Sequence, residues 1–332
     1  MRATAAVGLA AFLLCFWPET AAHSNPAQCA SSDAIGVSRV VEIDTASGPR
    51  FGQLQYKDID FLRDGEVVLT FDDGPLRRHS RAVLDALDAH CTKATFFIVG
   101  RMAISDPETL QDMAIRGHTI GTHTWSHKNL RSISIAQARS EFELGLSAVQ
   151  AALGAPVAPF FRFPYLSDPQ GVQDLLQQRG IAMFSIDADS YDYRTPSAAV
   201  VQRNILNQLE QRKKGILLFH DIQPSTAKAM KDLLDELKAR GYRVVHMVPK
   251  STATTIAEFD EMADEALSKK RVASSNNPLA KRSVVWPLAT TPGASSPAAP
   301  AATASSERPT APASPPSRAR SDDDWRERVF RN

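Results

Sequence analysis

The sequence predicts an α/β protein built on one domain of about seven strands, and three observations carry that prediction. Between Glu66 and Pro249, short apolar, branched or aromatic runs alternate with stretches of helical period, as expected for parallel strands joined by right-handed helical crossovers. The runs are apolar almost throughout rather than at every second residue, which places them in a sheet covered on both faces or closed into a barrel. Four helical stretches end in a basic residue and a glycine, at Gly117, Gly180, Gly215 and Gly241, directly before the next run. Glycine there supplies a left-handed C′ residue, and the cation suits the negative helix end.

In chain order, residues 1–22 combine one Arg, an apolar run too short to span a bilayer, and small residues at Ala21 and Ala22. They predict a signal peptide cleaved near Ala22, with retention as a membrane anchor as the alternative. Residues 23–65 form an N-terminal extension. Strands are expected at "VVLTF", "ATFFIVG", "HTIGTH", "FFRFP", "AMFSIDAD", "GILLFHD" and "YRVVHMV". Helices are expected at "SRAVLDALDAH", "DPETLQDMAIRG", "SIAQARSEFELGLSAVQAALG", "DPQGVQDLLQQRG", "SAAVVQRNILNQLEQRKKG" and "TAKAMKDLLDELKARG". Residues 251–272 continue as a helical segment, and 273–332, rich in Ala, Pro, Ser and Thr with little to bury, predict a disordered tail.

The leader implies export to a periplasmic or secreted location. Removing it takes Cys15 and leaves Cys29 and Cys91 as the thiols in an oxidising compartment, so a Cys29–Cys91 disulfide is expected to tie the extension to the end of the first long helix. A net charge of +1 and 43% hydrophobic residues give no charge excess that would favour nucleic acid or an anionic surface, and no stable membrane insertion is expected after cleavage. A small neutral substrate fits that balance.

Ligand sites of such folds lie beyond the carboxyl ends of the strands, and the chemistry-bearing residues gather there. The first run ends in Asp72 and Asp73, the third in His123 and then His127. "FFRFPY" offers Arg162 and Tyr165, "SIDADSYDY" offers Asp187, Asp189 and Asp192, and "ILLFHD" ends in His220 and Asp221. Two histidines separated by three residues, with one carboxylate, make a facial set for a divalent metal that leaves positions open for water and substrate. Zinc is favoured by its affinity for imidazole, with cobalt, nickel or iron as alternatives. Such an ion polarises a carbonyl and acidifies water, a further carboxylate acts as general base, and an acid protonates the leaving group. The adjacent aspartates supply ligand and base together, and His220 is a candidate acid.

In their order, "TFDDGP" (Thr70 to Pro75), "HTWSH" (His123 to His127), "RFPY" (Arg162 to Tyr165), "DSYDY" (Asp189 to Tyr193) and "LFH" (Leu218 to His220) resemble the five motifs of the polysaccharide deacetylase family, the NodB-like domain of carbohydrate esterase family 4. The resemblance covers residues 66–250. It implies a distorted (β/α) barrel and removal of N-acetyl groups from N-acetylglucosamine-containing glycans such as chitin oligomers or peptidoglycan, releasing acetate and a free amine. It implies further that Asp73, His123 and His127 hold the metal, that Asp72 is the base and that Arg162 orients it. By the same carry-over, the Tyr165 N–H stabilises the oxyanion, His220 protonates the departing amine with Asp192 behind it, and Leu218 lines the acetyl pocket. Tyr193 stands where the family usually has Trp, which bears on substrate preference. Trp125, inside the histidine motif, is either a stacking surface for a sugar ring or packed as core. Two alternatives remain: a deacetylase of O-acetylated polysaccharide such as xylan, and a non-catalytic sugar-binding wall protein, against which the complete set of aspartates and histidines argues.

Overall fold

The computed structural model describes residues 32–275. The predicted leader, Cys29 and all but the first few residues of the predicted tail lie outside the described residues. Cys91 is disulfide-bonded. Among the described residues, no helix is long and apolar enough to cross a membrane.

The strands and helices run β1 (Arg39–Ile43), β2 (Arg50–Phe51), β3 (Glu66–Asp72), α1 (Arg77–Ala89), β4 (Thr95–Ile98), α2 (Gly100–Ser105), α3 (Pro107–Ile115), β5 (Thr119–Thr122), α4 (Ile135–Leu153) and β6 (Phe160–Phe161). They continue through α5 (Gln170–Gln178), β7 (Ala182–Phe184), β8 (Ala188–Asp189), α6 (Ala198–Arg212), β9 (Gly215–His220), α7 (Pro224–Ala239), β10 (Arg243–Pro249) and α8 (Ala257–Ser275). All strand pairings described are parallel.

The pairings decide between open sheet and barrel. β9, β3, β4, β5, β6 and β7 pair in succession, and β8, only a few residues beyond β7, returns to pair with β9. One bent segment, Ala182 to Asp189, therefore leaves β6 and reaches β9, and the ring closes through it. The segment expected as one strand is split because it changes partners midway. β10 takes the start of β3, on the edge that β4 occupies further along.

The expected count of about seven strands becomes ten among the described residues. The additional strands come from that split and from the extension, where β1 pairs with β10 and β2 with β7.

Strand parity sorts the side chains into two layers. Val67, Leu69, Phe71, Phe96, Ile98, Ile120, Phe161, Leu217 and Phe219 face outward into the helix-covered core. Val68, Phe97, Phe160, Phe184, Ile216 and Met247 fill the barrel, with Phe184 against Phe160 and Phe97 at ring-centroid distances of 4.9 and 5.6 Å. Truncating one such ring to alanine costs about 3–5 kcal/mol. Thr70, Asp72, Arg162, Leu218 and His220 share the inward parity of that second set, so the C-terminal ends of β3 and β9 and the residue that follows β6 deliver them to the barrel mouth.

Helix entries follow local rules. Asp106 accepts the Thr109 N–H with Pro107 in the first turn, Ser134 and Gln137 form a reciprocal capping box, and Ser197 accepts the Val200 N–H. Gly117, Gly180 and Gly241 take φ of +81, +65 and +80°, as expected. Gly215 serves differently: α6 ends on left-handed Lys213 (φ +68°), and a Cβ on Gly215 would stand 2.6 Å from the Asp187 Cβ.

Candidate active site at the barrel mouth

The "DDGP" turn begins where β3 stops. Asp72 ends the strand pointing inward, and Asp73 adopts φ +75°, a left-handed conformation that Asp tolerates better than most residues. The two carboxylates thereby leave the chain in different directions. Beneath the turn sits Asp221, fully buried, accepting from Ser80 Oγ, which in turn accepts the Leu76 N–H at 2.7 Å. Any Cβ on Gly74 would collide with the Asp221 carboxylate, so the glycine is required by close approach. Burial pushes the Asp221 carboxyl up to about 7.

Asp73, His123 and His127 come together as predicted. Their ligand atoms lie within 4.8 Å of one another and all three residues are buried; Asp73 Oδ1 is 3.3 Å from His127 Nε2 and 3.7 Å from His123 Nε2. His123 Nδ1 lies 2.7 Å from the Arg162 carbonyl. A carbonyl only accepts, so Nδ1 carries the proton and the Nε2 lone pair faces the aspartate. Burial brings His123 down to about 4, against the opposing pull of Asp72, leaving it neutral. A neutral imidazole with its lone pair turned inward, a second imidazole and a carboxylate fit a divalent cation of the zinc class.

The loop carrying both histidines is fastened to α4. Glu141 accepts from the Ser126 N–H at 2.9 Å and from its hydroxyl, the Trp125 N–H donates to the Glu141 carbonyl at 2.7 Å, and a Cβ on Gly145 would stand 2.5 Å from the Thr124 carbonyl carbon. His127 itself sits at φ +59°. Left-handed residues concentrate around the site, at Asp73, Thr124, His127, Tyr165, Leu166 and Tyr191, conformations that surrounding contacts must hold in place.

On the Asp72 side, Arg162 is fully buried and its Nη1 donates to Asp72 Oδ1 at 2.7 Å and Thr70 Oγ1 at 2.8 Å. Its other nitrogens donate to the Phe184 and Ser185 carbonyls, and the guanidinium lies 4.3 Å from the Phe97 ring centroid. Burial lowers the affinity of this guanidinium for its proton, and Asp72 opposes that.

Across the mouth, His220 Nδ1 meets Asp192 Oδ1 at 2.7 Å, while Asp192 Oδ2 accepts the His220 N–H and the Thr226 hydroxyl. Burial disfavours the imidazolium, but Asp192, with Asp73 and Asp72 behind it, outweighs burial and raises His220 to about 10. His220 Nε2 is 4.0 Å from Asp73 Oδ2.

These groups surround a cavity of about 280 Å³, walled on one side by Phe163, Tyr165 and Leu166 and on the other by Asp189, Tyr193, Arg194 and Leu218. Tyr193 donates its hydroxyl to Asp189 Oδ2 at 3.1 Å. Two candidate residues fall elsewhere. Trp125 takes the core position, packed against Gly100 and the helical core, and does not line the cavity. Asp187 is structural: its oxygens accept the Gln53 and Ile216 N–H groups at 2.6 and 2.7 Å.

The motifs also missed a bridge from the extension. Gln55 accepts from Ser185 Oγ at 2.6 Å and donates to the Leu166 carbonyl at 2.8 Å. It thereby links the segment that holds Arg162 to the left-handed turn at Tyr165 and Leu166. No pattern around Gln55 signals this, because its partners are over a hundred positions away.

Comparison with known proteins gives concordant findings. The polysaccharide deacetylase family model matches residues 62–184. A chitin deacetylase of Colletotrichum lindemuthianum is 33% identical over 194 residues, 54% of this chain and 77% of that protein. A peptidoglycan-N-acetylglucosamine deacetylase of Listeria monocytogenes is 30% identical over 182 residues, 54% of this chain but 37% of that protein. Against the Listeria relative, then, the chain spans little more than a third of the length. The solved structure of a Bdellovibrio bacteriovorus peptidoglycan deacetylase superposes with a TM-score of 0.58 at 33% identity, covering 64% of this chain and 59% of that one.

Proposed function

Because the chain belongs to the polysaccharide deacetylase family, we propose that it is a metal-dependent hydrolase that removes N-acetyl groups from N-acetylglucosamine-containing glycans, releasing acetate. The reading rests on one observation above the others. The two adjacent aspartates are divided, Asp73 among the histidines and Asp72 held by Arg162.

Asp73, His123 and His127 would hold the ion. When bound, it would supply Lewis-acid polarisation of the acetyl carbonyl and a lowered pKa for water. Asp72 takes the proton from the attacking water, a task for which the Arg162 hydrogen bond aims it. The Tyr165 N–H, presented by a left-handed backbone, donates to the oxygen that gains charge. His220 enters protonated, held so by Asp192, and gives its proton to the leaving nitrogen as the C–N bond breaks. Leu218 and Tyr193 form the wall beside the acetyl methyl.

Zinc is the favoured ion. Residues 66–250 form the catalytic unit, flanked by 23–65 and 251–272. The Cys29–Cys91 pairing and export to the periplasm or beyond accompany this proposal. The names of the relatives from Listeria and Colletotrichum support a peptidoglycan or chitin-type substrate.

The test is acetate release from chitin oligomers, peptidoglycan and acetylxylan, with and without a chelator, for the wild type and Asp72→Asn. Activity on an N-acetylated glycan that is lost in either condition is expected. Activity that survives both chelation and the substitution would sink the mechanism, and release from acetylxylan alone would move the substrate to O-acetyl esters.

A further inference from the structure

Arg194 lines the catalytic cavity and is exposed at its mouth. Its guanidinium stands 5.3 Å from the ring centroids of both Tyr191 and Tyr193. One carboxylate organises this wall: Asp189 accepts the Tyr193 hydroxyl at 3.1 Å, which holds that ring, and the Tyr191 backbone N–H at 2.8 Å, which holds the turn that carries the other. Both Asp189 oxygens are thereby engaged. Among the described residues, no acidic side chain forms an ion pair with Arg194. Arg162 differs, because it is engaged by Asp72 and is not among the residues that line the cavity.

A guanidinium that is always charged, held in place by two rings and lacking a counter-ion, is pre-organised to receive a planar anion. A neutral polymer of N-acetylglucosamine offers it none.

We propose that Arg194 is a specificity determinant that selects glycans bearing a carboxylate next to the acetylated sugar whose amide is cleaved. This rests on the deacetylase reading and narrows it toward muramic-acid-containing glycans. The carboxylate has two possible sources, the lactyl ether of the neighbouring sugar or the terminus of an attached peptide, and the geometry calls for the shared chemistry. Two N–H···O bonds of the fork discriminate a carboxylate from a neutral group by about tenfold.

The experiment measures kcat/KM for acetate release from three substrates of matched length: an N-acetylglucosamine oligomer, the alternating oligomer with free lactyl carboxylates, and that oligomer carrying stem peptides. Calorimetric Kd values are measured for the same three. Wild type should favour one or both carboxylate-bearing substrates, and whichever is favoured identifies the source. Arg194→Gln should lower the ratio of carboxylate-bearing to neutral substrate about tenfold, and Arg194→Lys, which keeps the charge but not the fork, should fall between. An unchanged ratio in Arg194→Gln with normal metal content overturns the proposal. Should the wild type release acetate from none of the three, the deacetylase reading fails, and the ratio of Kd values alone still decides the role of Arg194.

Discussion

The two ends of β5 carry the same residue in opposite circumstances. The run "HTIGTH" places His118 just before the strand and His123 just after it, and both are buried. His123 opens onto two carboxylates and a second imidazole. His118 faces a Phe96 ring edge-on at 5.2 Å, accepts the Ala94 N–H at Nδ1, and leaves a buried Nε2 with no hydrogen-bond partner. Near it, His246 Nε2 lies 3.0 Å from Thr119 Oγ1, which donates onward to the Met247 carbonyl. Burial drives His118 to about 3 and His246 to about 4, and no acid pulls either back. Burial, reinforced by the charge of Lys93 and opposed by no acid, keeps both of these histidines neutral. What sets the other end apart is the inward parity that brings Asp72 and His220 to the same mouth, and the left-handed turn that adds Asp73 to them.

The strongest way to break that contrast is to remove the acid–base groups from the reactive end. Asp72→Asn keeps the shape and the hydrogen bond to Arg162 but abolishes the base, and kcat should fall by about 10²–10⁴. Metal content, measured by atomic absorption, should stay at the wild-type stoichiometry because Asp72 is outside the ligand set. Loss of metal along with activity would show that both aspartates serve the ion.

A smaller effect is expected from the bridge that supports the reactive end from outside it. Gln55→Ala removes the donor that holds the Leu166 carbonyl beside Tyr165, and kcat should fall about tenfold, in line with the loss of one positioning hydrogen bond. Gln55→Glu retains an acceptor for Ser185 but cannot donate to Leu166. It should fall as far as the alanine variant; if it retains full kcat, the Leu166 contact is irrelevant to turnover.

This bridge marks the limit of what the sequence revealed. Asp72, His123, Arg162 and His220 were legible because each ends an apolar strand, and strand direction alone sends such residues to one face. β1 was not, since its first four residues alternate between intermediate and exposed positions before the one buried residue that ends it. β2, only two residues long, exists through its pairing with β7. Closure of the ring was equally hidden, because it depends on one segment exchanging β6 for β9, and nothing local distinguishes the residues at which it bends. Glu141 and Gly145, which hold the histidine loop, read as ordinary members of an amphipathic helix.

The least disruptive test addresses the inert end. Folded His118 stays neutral down to about 3, whereas in the unfolded chain it binds a proton below about 6.5. Over that window the unfolded state holds the additional proton, so stability is fully present above about 6.5 and is lost as pH falls. One such group contributes a slope of at most about 1.4 kcal/mol per pH unit. His118→Asn keeps an acceptor near the Nδ1 position and removes the titration. In urea unfolding between pH 7 and pH 5, values set by the experimenter, the slope should flatten by up to about one proton, with acetate release at pH 7.5 within about twofold of wild type. An unchanged slope would mean that His118 is protonated in the folded protein. A collapse of turnover would mean that the two ends of β5 are coupled, and the contrast between an inert and a reactive histidine would fail.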